Sequence, residues 1–140
     1  MLPVLPADGS DHPEISLHRR DKLSKLNLQR IEAIKEGQGR DDLPPELLAD
    51  CHKVDSSVIG YRNVYGRMSW DDSFTRGKFG HPDQPRSISL REGALLQTFP
   101  VDFMFTGNKV DIARQIGNAV PPVLAEQIGK SIIDAYMKRG

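Results

Sequence analysis

The chain has 140 residues and a mass of 15.6 kDa, room for one ordinary domain or a piece of a larger one, and too little for a two-domain enzyme with a wide cleft. Apolar residues make up 38% of it, and no run approaches the roughly eighteen consecutive apolar positions that a membrane span needs, so a soluble protein without a membrane partner is expected. Nineteen basic residues offset nineteen acidic ones, and the lone Cys51 excludes an internal disulfide, a Cys-rich metal site and a C-x-x-C redox pair.

Residues 1–17 contain "MLPVLPADGSDHPE", which carries prolines and acids with little periodicity. An irregular or disordered lead-in is expected. It has no basic cluster ahead of an apolar core and no small-residue cleavage site, which argues against a signal peptide and for a cytoplasmic setting. "KLSKLNLQRIEAIKEGQG" predicts one short helix, with Asn27 as N-cap, Leu26, Ile31 and Ile34 facing inward, and Gly37 and Gly39 closing it. "DDLPPELLADC" predicts a second helical turn, since proline followed by acid suits a helix start. Between Val54 and Pro85, "SVIGYRNVYGRMSW" is aromatic and β-branched, broken by Gly60 and Gly66, and "RGKFGHPDQP" is turn material. Irregular β structure and loops follow.

From Arg86 the signals are sharper. Ser89 and Glu92 in "SLRE" have capping-box spacing, in which the serine oxygen accepts an amide three residues on and the glutamate reaches back. A helix should begin at Leu90 and run out by Phe99, because Pro100 disfavours helical geometry in the residue before it. Asn108 should cap "KVDIARQI", with Gly117 ending that helix, and a last helix should open at Pro121-Pro122. It would place Leu124, Ile128, Ile132 and Tyr136 on one face. Such a stripe needs a partner surface.

The stretch "RQIGNAVPP" is therefore a helix stop, a tight turn and a helix start. Residues alone allow two readings. It is either a simple corner between helices, or a junction whose free backbone groups and Asn118 amide line a small-molecule pocket. The locally basic segments, Arg19, Arg20, Lys22, Lys25 and Arg30, and later Arg67, Arg76, Lys78, Arg86 and Arg91, divide in the same way between solvated surface and phosphate contact.

"RSISLREGALLQTFPVDFMF", followed after a short gap by "RQIGNAVPP", resembles the ninth and tenth signature blocks of the DNA (cytosine-5)-methyltransferases in order and separation. "VYGRMSW" and "KFGHP" look like the distal part of the target-recognition region of bacterial members, and "KLSKLNLQRIEAI" with "DDLPPELL" like the stretch leading into it. The resemblance covers roughly residues 18–138 and implies a setting in DNA modification, as in restriction-modification. It implies an α+β fragment: a small irregular β recognition region at 18–85, then helices at 86–140 that complete the Rossmann-like α/β core of an S-adenosylmethionine-dependent methyltransferase. By the same resemblance Asn118, with the backbone of Ala119 and Val120, lies at S-adenosylmethionine. Arg67, Arg76, Lys78 and Arg86 are the candidate contacts to double-stranded DNA, arginine forking onto guanine and lysine offering charge to phosphate. Against this, Arg67 has Asp71 and Asp72 nearby in sequence as ion-pair partners. Trp70, Tyr61, Tyr65 and Phe79 are read as core of the β region in preference to base-stacking groups. Glu92 is read as a cap and not as a chemical group.

Four family elements are missing. Methylating carbon 5 of cytosine requires a thiolate at carbon 6 and a carboxyl group on the ring nitrogen, which the family supplies from Pro-Cys and Glu-Asn-Val steps. Neither occurs in this sequence. Cys51, in "LLADCHKVD", has no proline before it, and its sequence neighbour His52 is poorly placed to activate it. "GQGR" follows a helix and not a strand, so it is a helix exit and not a cofactor loop. "SWDDSFTRGKFGHP" also lacks the Pro-Thr-Ile-Thr-like stretch that the family commonly carries there. The expectation is a chain without catalytic or metal-binding residues of its own, sharing S-adenosylmethionine with a complementary catalytic subunit. The competing readings are a non-catalytic DNA-binding or interaction module and an inactive truncated remnant.

Overall fold

The computed structural model describes residues 5, 10–48, 66–71 and 80–138. The chain divides into two compact units: Met1–Arg19 with Ser89–Gly140, and Arg20–Ile88.

In the second of these, helix α1 (Lys25–Ala33) starts at Ser24, whose hydroxyl accepts the Asn27 amide at 3.2 Å. Asn27 therefore lies inside the first turn and is not the cap. Its side chain is engaged by Arg30, which also donates to the Leu47 carbonyl at 2.7 Å. Ile31 and Ile34 are buried as their spacing predicts, together with Leu43, but Leu26 points outward, 46% exposed. Gly37, at φ +73°, supplies the left-handed step that turns the chain out of α1. Two 3-10 turns follow, Arg40–Asp42 and Pro45–Leu47. The first is closed by the Asp42 carboxylate, which accepts the Gly39 amide at 2.8 Å.

The β structure among the described residues is a set of isolated bridges: Gly39 to Gly66, Arg67 to Gly80, and Gly80 to Ser87. Gly80 sits at the crossing of two of them. A Cβ there would lie 2.7 Å from the Gly66 carbonyl oxygen and 3.2 Å from the Arg67 Cα, both parts of the backbone. Gly80→Ala is accordingly expected to destabilise this unit by about 1–3 kcal/mol through overpacking, read as a lower urea midpoint. The turn after it is organised by His81, whose Nδ1 accepts the amides of Asp83 and Gln84 at 3.1 and 3.2 Å.

The other unit packs α2 (Leu90–Leu96) on α3 (Lys109–Asn118) through Ala94, Ile112 and Ile116, with Leu17, Leu90, Phe99 and Phe105 around them. The capping box is present as expected: Glu92 N–H donates to Ser89 Oγ at 3.1 Å, and Ser89 N–H to Glu92 Oε2 at 2.7 Å. Ser89 Oγ also lies 2.8 Å from Nδ1 of the fully buried His18. Residues 10–19 are thus part of a packed unit, closed by an Asp11–Arg19 bridge and a His12 to His18 backbone bond. Of the irregular or disordered lead-in expected, the described residues 10–17 are irregular and packed.

Arg91 explains why. It is fully buried, and its guanidinium donates to Ser16 O at 3.0 Å, Ser16 Oγ at 2.8 Å and Phe103 O at 3.0 Å. Its amide donates to Leu17 O at 3.2 Å. Burial pulls the guanidinium pKa down from its ordinary value, and the charge of Asp102 opposes this. Arg91 is a clasp inside the fold and faces no phosphate.

Candidate functional site

The junction between α3 and α4 (Pro122–Met137) is built differently from its sequence expectation. Helix α3 does not stop at Gly117 but runs through Asn118. Gly117 has no left-handed conformation, and the space where its Cβ would project is open. The break falls on Ala119 and the residues after it: Ala119 is extended at ψ 145° and Pro121 at ψ 127°. Each residue before a proline is pushed out of helical geometry, so Pro121 and Pro122 hold Val120 and Pro121 extended. The prolines prolong this break, which begins at Ala119 without a left-handed glycine.

Helix α4 has no side-chain cap of its own. Thr98 provides one from a distance: its Oγ1 accepts the Val123 amide at 3.1 Å. Thr98 can do so because it occupies the left-handed position, φ 63°, that ends α2. Thr98 N–H bonds Leu95 O at 2.8 Å and Phe99 N–H bonds Ala94 O at 2.9 Å, the two closures of a Schellman ending with threonine where glycine is usual. Thr98→Val keeps the shape and removes the oxygen. It is expected to lower stability by about 1 kcal/mol, with loss of amide-exchange protection confined to the first turn of α4.

The predicted cofactor residues lie open. Asn118 and Val120 are exposed, Val120 by 62%, and Ala119 is half-buried. Beside them a groove of about 480 Å³ runs along α3, lined by Asp111, Arg114, Gln115 and Asn118. Three of these were missed in the sequence. Their signal was present as a polar stripe at the i, i+3, i+4, i+7 spacing of one helix face. The groove is held in shape: Asn108 Oδ1 accepts the Val110 and Asp111 amides, and Gln115 Nε2 donates to Thr106 O at 2.8 Å.

The candidate DNA contacts scatter. Arg76 and Lys78 fall outside the described residues, as do Cys51, Tyr61, Tyr65 and Phe79. Arg86 is 1% exposed, with its guanidinium on Gln84 Oε1 at 2.6 Å and Ser87 O at 3.0 Å, which makes it an internal support. Arg67 is half-buried, packed on Gly80, with Nη1 3.5 Å from Pro82 O and no partner for Nε among the described residues. Trp70 is not core: it is 50% exposed. Its indole N–H found an acceptor at the surface, Asp83 Oδ1 at 3.1 Å, and its ring meets the edge of His81 at 5.7 Å.

The stripe on α4 is also as open as a helix can be. None of its residues is buried; Leu124 is 51% exposed, Ile128 49%, Ile132 64% and Tyr136 78%. No helix among the described residues is long and apolar enough to cross a membrane. An apolar helix face of this extent lying in solvent has the layout of a surface that packs against another.

Comparison with known proteins bears directly on that layout. A family model for C-5 cytosine-specific DNA methylases matches residues 7–134. The chain belongs to this family. It is 44% identical over 131 residues to the Type II methylase M.HgiDII of Herpetosiphon aurantiacus, covering 84% of this chain and 37% of that protein. To DNA (cytosine-5)-methyltransferase 3 of Arabidopsis thaliana it is 34% identical over 146 residues, covering 87% of this chain and 10% of the relative. To DNA (cytosine-5)-methyltransferase 1 of Mus musculus it is 42% identical over 83 residues, 51% of this chain and 5% of the relative. This methylase chain thus spans little more than a third of the first relative and a tenth or less of the other two. Family membership brings the S-adenosylmethionine methyltransferase fold, of which the described residues hold helices and few bridges.

Proposed function

We propose that this chain is the C-terminal part or a split subunit of a DNA (cytosine-5)-methyltransferase. Residues 18–85 take part in reading the DNA target, and residues 86–140 close the cofactor side of the catalytic core. The observation that carries this reading is α4, a sixteen-residue helix with no buried residue and an apolar face in solvent. Such a face is stabilised only by another surface. In a methyltransferase fold that surface is the parallel sheet of the catalytic core, for which the described residues supply no strands.

Asn118, Ala119 and Val120 would hold S-adenosylmethionine, which when bound supplies an electrophilic methyl group. The residues fit the group: an exposed amide at a helix end, an extended break through Ala119 and Val120, and polar side chains along α3 for a polar ligand. This chain's part is binding and orientation. Neither the thiolate that adds to cytosine nor the carboxyl that holds the ring nitrogen is encoded in the form the family uses. The target cytosine would be flipped from the duplex to reach them. Arg67, Arg76 and Lys78 are the proposed DNA contacts, and Arg86 is an internal support of the turn at 84–87.

The test is reconstitution. The chain is mixed with a polypeptide bearing the Pro-Cys and Glu-Asn-Val segments of such an enzyme, and labelled methyl incorporation at cytosine carbon 5 is measured. Incorporation is expected only with both, and Asn118→Ala should reduce it about tenfold or more, the usual loss for one well-placed hydrogen-bonding group. Incorporation by the chain alone overturns the proposal.

A further inference from the structure

The sequence left Trp70 two roles, core of the β region or a stacking group for bases, and its 50% exposure removes the first. The ring is fastened at both ends. Glu36, three residues past the end of α1, accepts the Trp70 amide at 2.8 Å and the Ser69 hydroxyl at 3.0 Å on one oxygen, Oε1. Behind it the backbone is tied down as well: Gly37 N–H donates to Met68 O at 3.3 Å, Arg67 N–H to Gln38 O at 3.0 Å and Met68 N–H to Gly80 O at 2.9 Å. At the far end the indole N–H donates to Asp83 Oδ1, and the ring stands at 85° to His81, whose Nδ1 fixes the Asp83 turn. All of these residues belong to the unit Arg20–Ile88. The ring's one polar group is satisfied, and what remains in solvent is π surface held in one orientation.

Glu36 and Asp83, which bond Trp70, and Asp71, which follows it in the chain, are carboxylates that repel phosphate. A nucleobase carries no charge and has a π face of its own. Base on indole is therefore the nucleic-acid contact these surroundings permit, and flipping of a target cytosine supplies bases that have left the stack. A cationic side chain of a protein partner is the other group that suits an indole between carboxylates. Two observations favour the base: Glu36 and Asp83 already accept the N–H groups of Trp70, and the segment that presents the ring also carries Arg67, in a chain of the C-5 cytosine-specific DNA methylase family. We infer that Trp70 takes the face of an unstacked base at the DNA target, with Glu36 and Asp83 as the positioning residues that set its ring. This rests on the DNA-reading proposal for residues 18–85 and goes beyond it by naming a contact that is neither charged nor made to the phosphate backbone.

Trp70 is the single tryptophan of the chain, so tryptophan fluorescence reports this ring alone. The full chain is titrated with a labelled, mixed-sequence single-stranded oligonucleotide, whose bases are free to stack, and with its duplex; anisotropy of the label gives the affinity, and tryptophan emission gives the contact. Saturation with the single strand is expected to quench Trp70 and to shield it from acrylamide. Trp70→Ala should weaken binding about tenfold, within the range for one base–aromatic contact, and Trp70→Phe should restore part of the loss. The slope of affinity against salt should be unchanged in Trp70→Ala, whereas loss of a phosphate contact lowers it by about one. Glu36→Ala checks the positioning: removing a carboxylate would by charge alone tighten DNA binding, so weaker binding marks the loss of a set ring. Shielding is read on the unaltered chain, and it decides even where Trp70→Ala fails to fold. If the strand binds while Trp70 stays as open to acrylamide as before, or a folded Trp70→Ala binds as the parent does, this inference falls and the DNA-reading proposal stands. Shielding by a polyarginine peptide and not by the oligonucleotide also overturns it, in favour of a basic protein partner. If neither strand nor duplex binds, both fall.

Discussion

Replacing Arg91 by methionine should unfold the unit formed by residues 10–19 and 89–137. The substitution keeps the length of the side chain's stem and removes three good hydrogen bonds, to both oxygens of Ser16 and to the Phe103 carbonyl, and a longer one of 3.5 Å to Pro100 O. It also removes the cation placed 6.0 Å from the centroid of the Phe105 ring. The acceptors sit on Ser16 and Phe103, which are themselves exposed, so the loss is chiefly that of the bonds, each contributing about 1.5–3 kcal/mol when the donor is charged. A net loss of about 3–5 kcal/mol is expected, the range for breaking a buried charged network. That is a large share of the roughly 5–15 kcal/mol by which domains are stable. Circular dichroism should show the cooperative melt shifted down by more than ten degrees or absent. Arg91→Lys should recover only part of it, because a compact ammonium cannot span Ser16 on one side and Phe103 on the other. A shift of a degree or two for Arg91→Met would show that the clasp is dispensable.

The second large effect belongs to α4. Ile128→Asp together with Ile132→Asp should leave the isolated chain's melt within about 0.5 kcal/mol of the parent, the usual range for exposed positions. In a reconstituted enzyme the same pair would be buried. Fully burying an isoleucine contributes about 1.5–3 kcal/mol, so two lost side chains weaken association by about 3–6 kcal/mol, a factor of roughly 10² to 10⁴. Pull-down of the catalytic polypeptide and methyl incorporation should both fail, while the chain remains folded. Equal damage to the isolated chain would mean that α4 packs on its own unit after all.

What could be read from the sequence divides by range. The capping box at Ser89 and Glu92 and the stripe on α4 are local patterns, carried by residues three or four apart, and both stand as expected. At α1 the expected cap, Asn27, is held by Arg30, which reaches on to Leu47, and Ser24 caps the helix instead. Helix α3, expected to end at Gly117, runs through Asn118 and turns out at Ala119, so the glycine signal placed its end one residue early. The misses are non-local. Nothing near Arg91 in the sequence says that Ser16 receives it, and nothing near Thr98 says that its hydroxyl serves a helix beginning at Pro122. Trp70 was misplaced because aromatic content alone does not say where an indole N–H will find its acceptor.

The tie between Arg91 and Ser16 has a kinetic meaning. The two segments it fastens are separated in the chain by everything from 20 to 88, so the unit cannot close until that whole stretch has been made and brought round. Contacts between such distant positions form late and slow the folding rate. Until the helices from Ser89 onward emerge, residues 10–19 wait without the surface they pack on, and a nascent chain in that state is open to any chaperone or neighbouring copy that reaches it first.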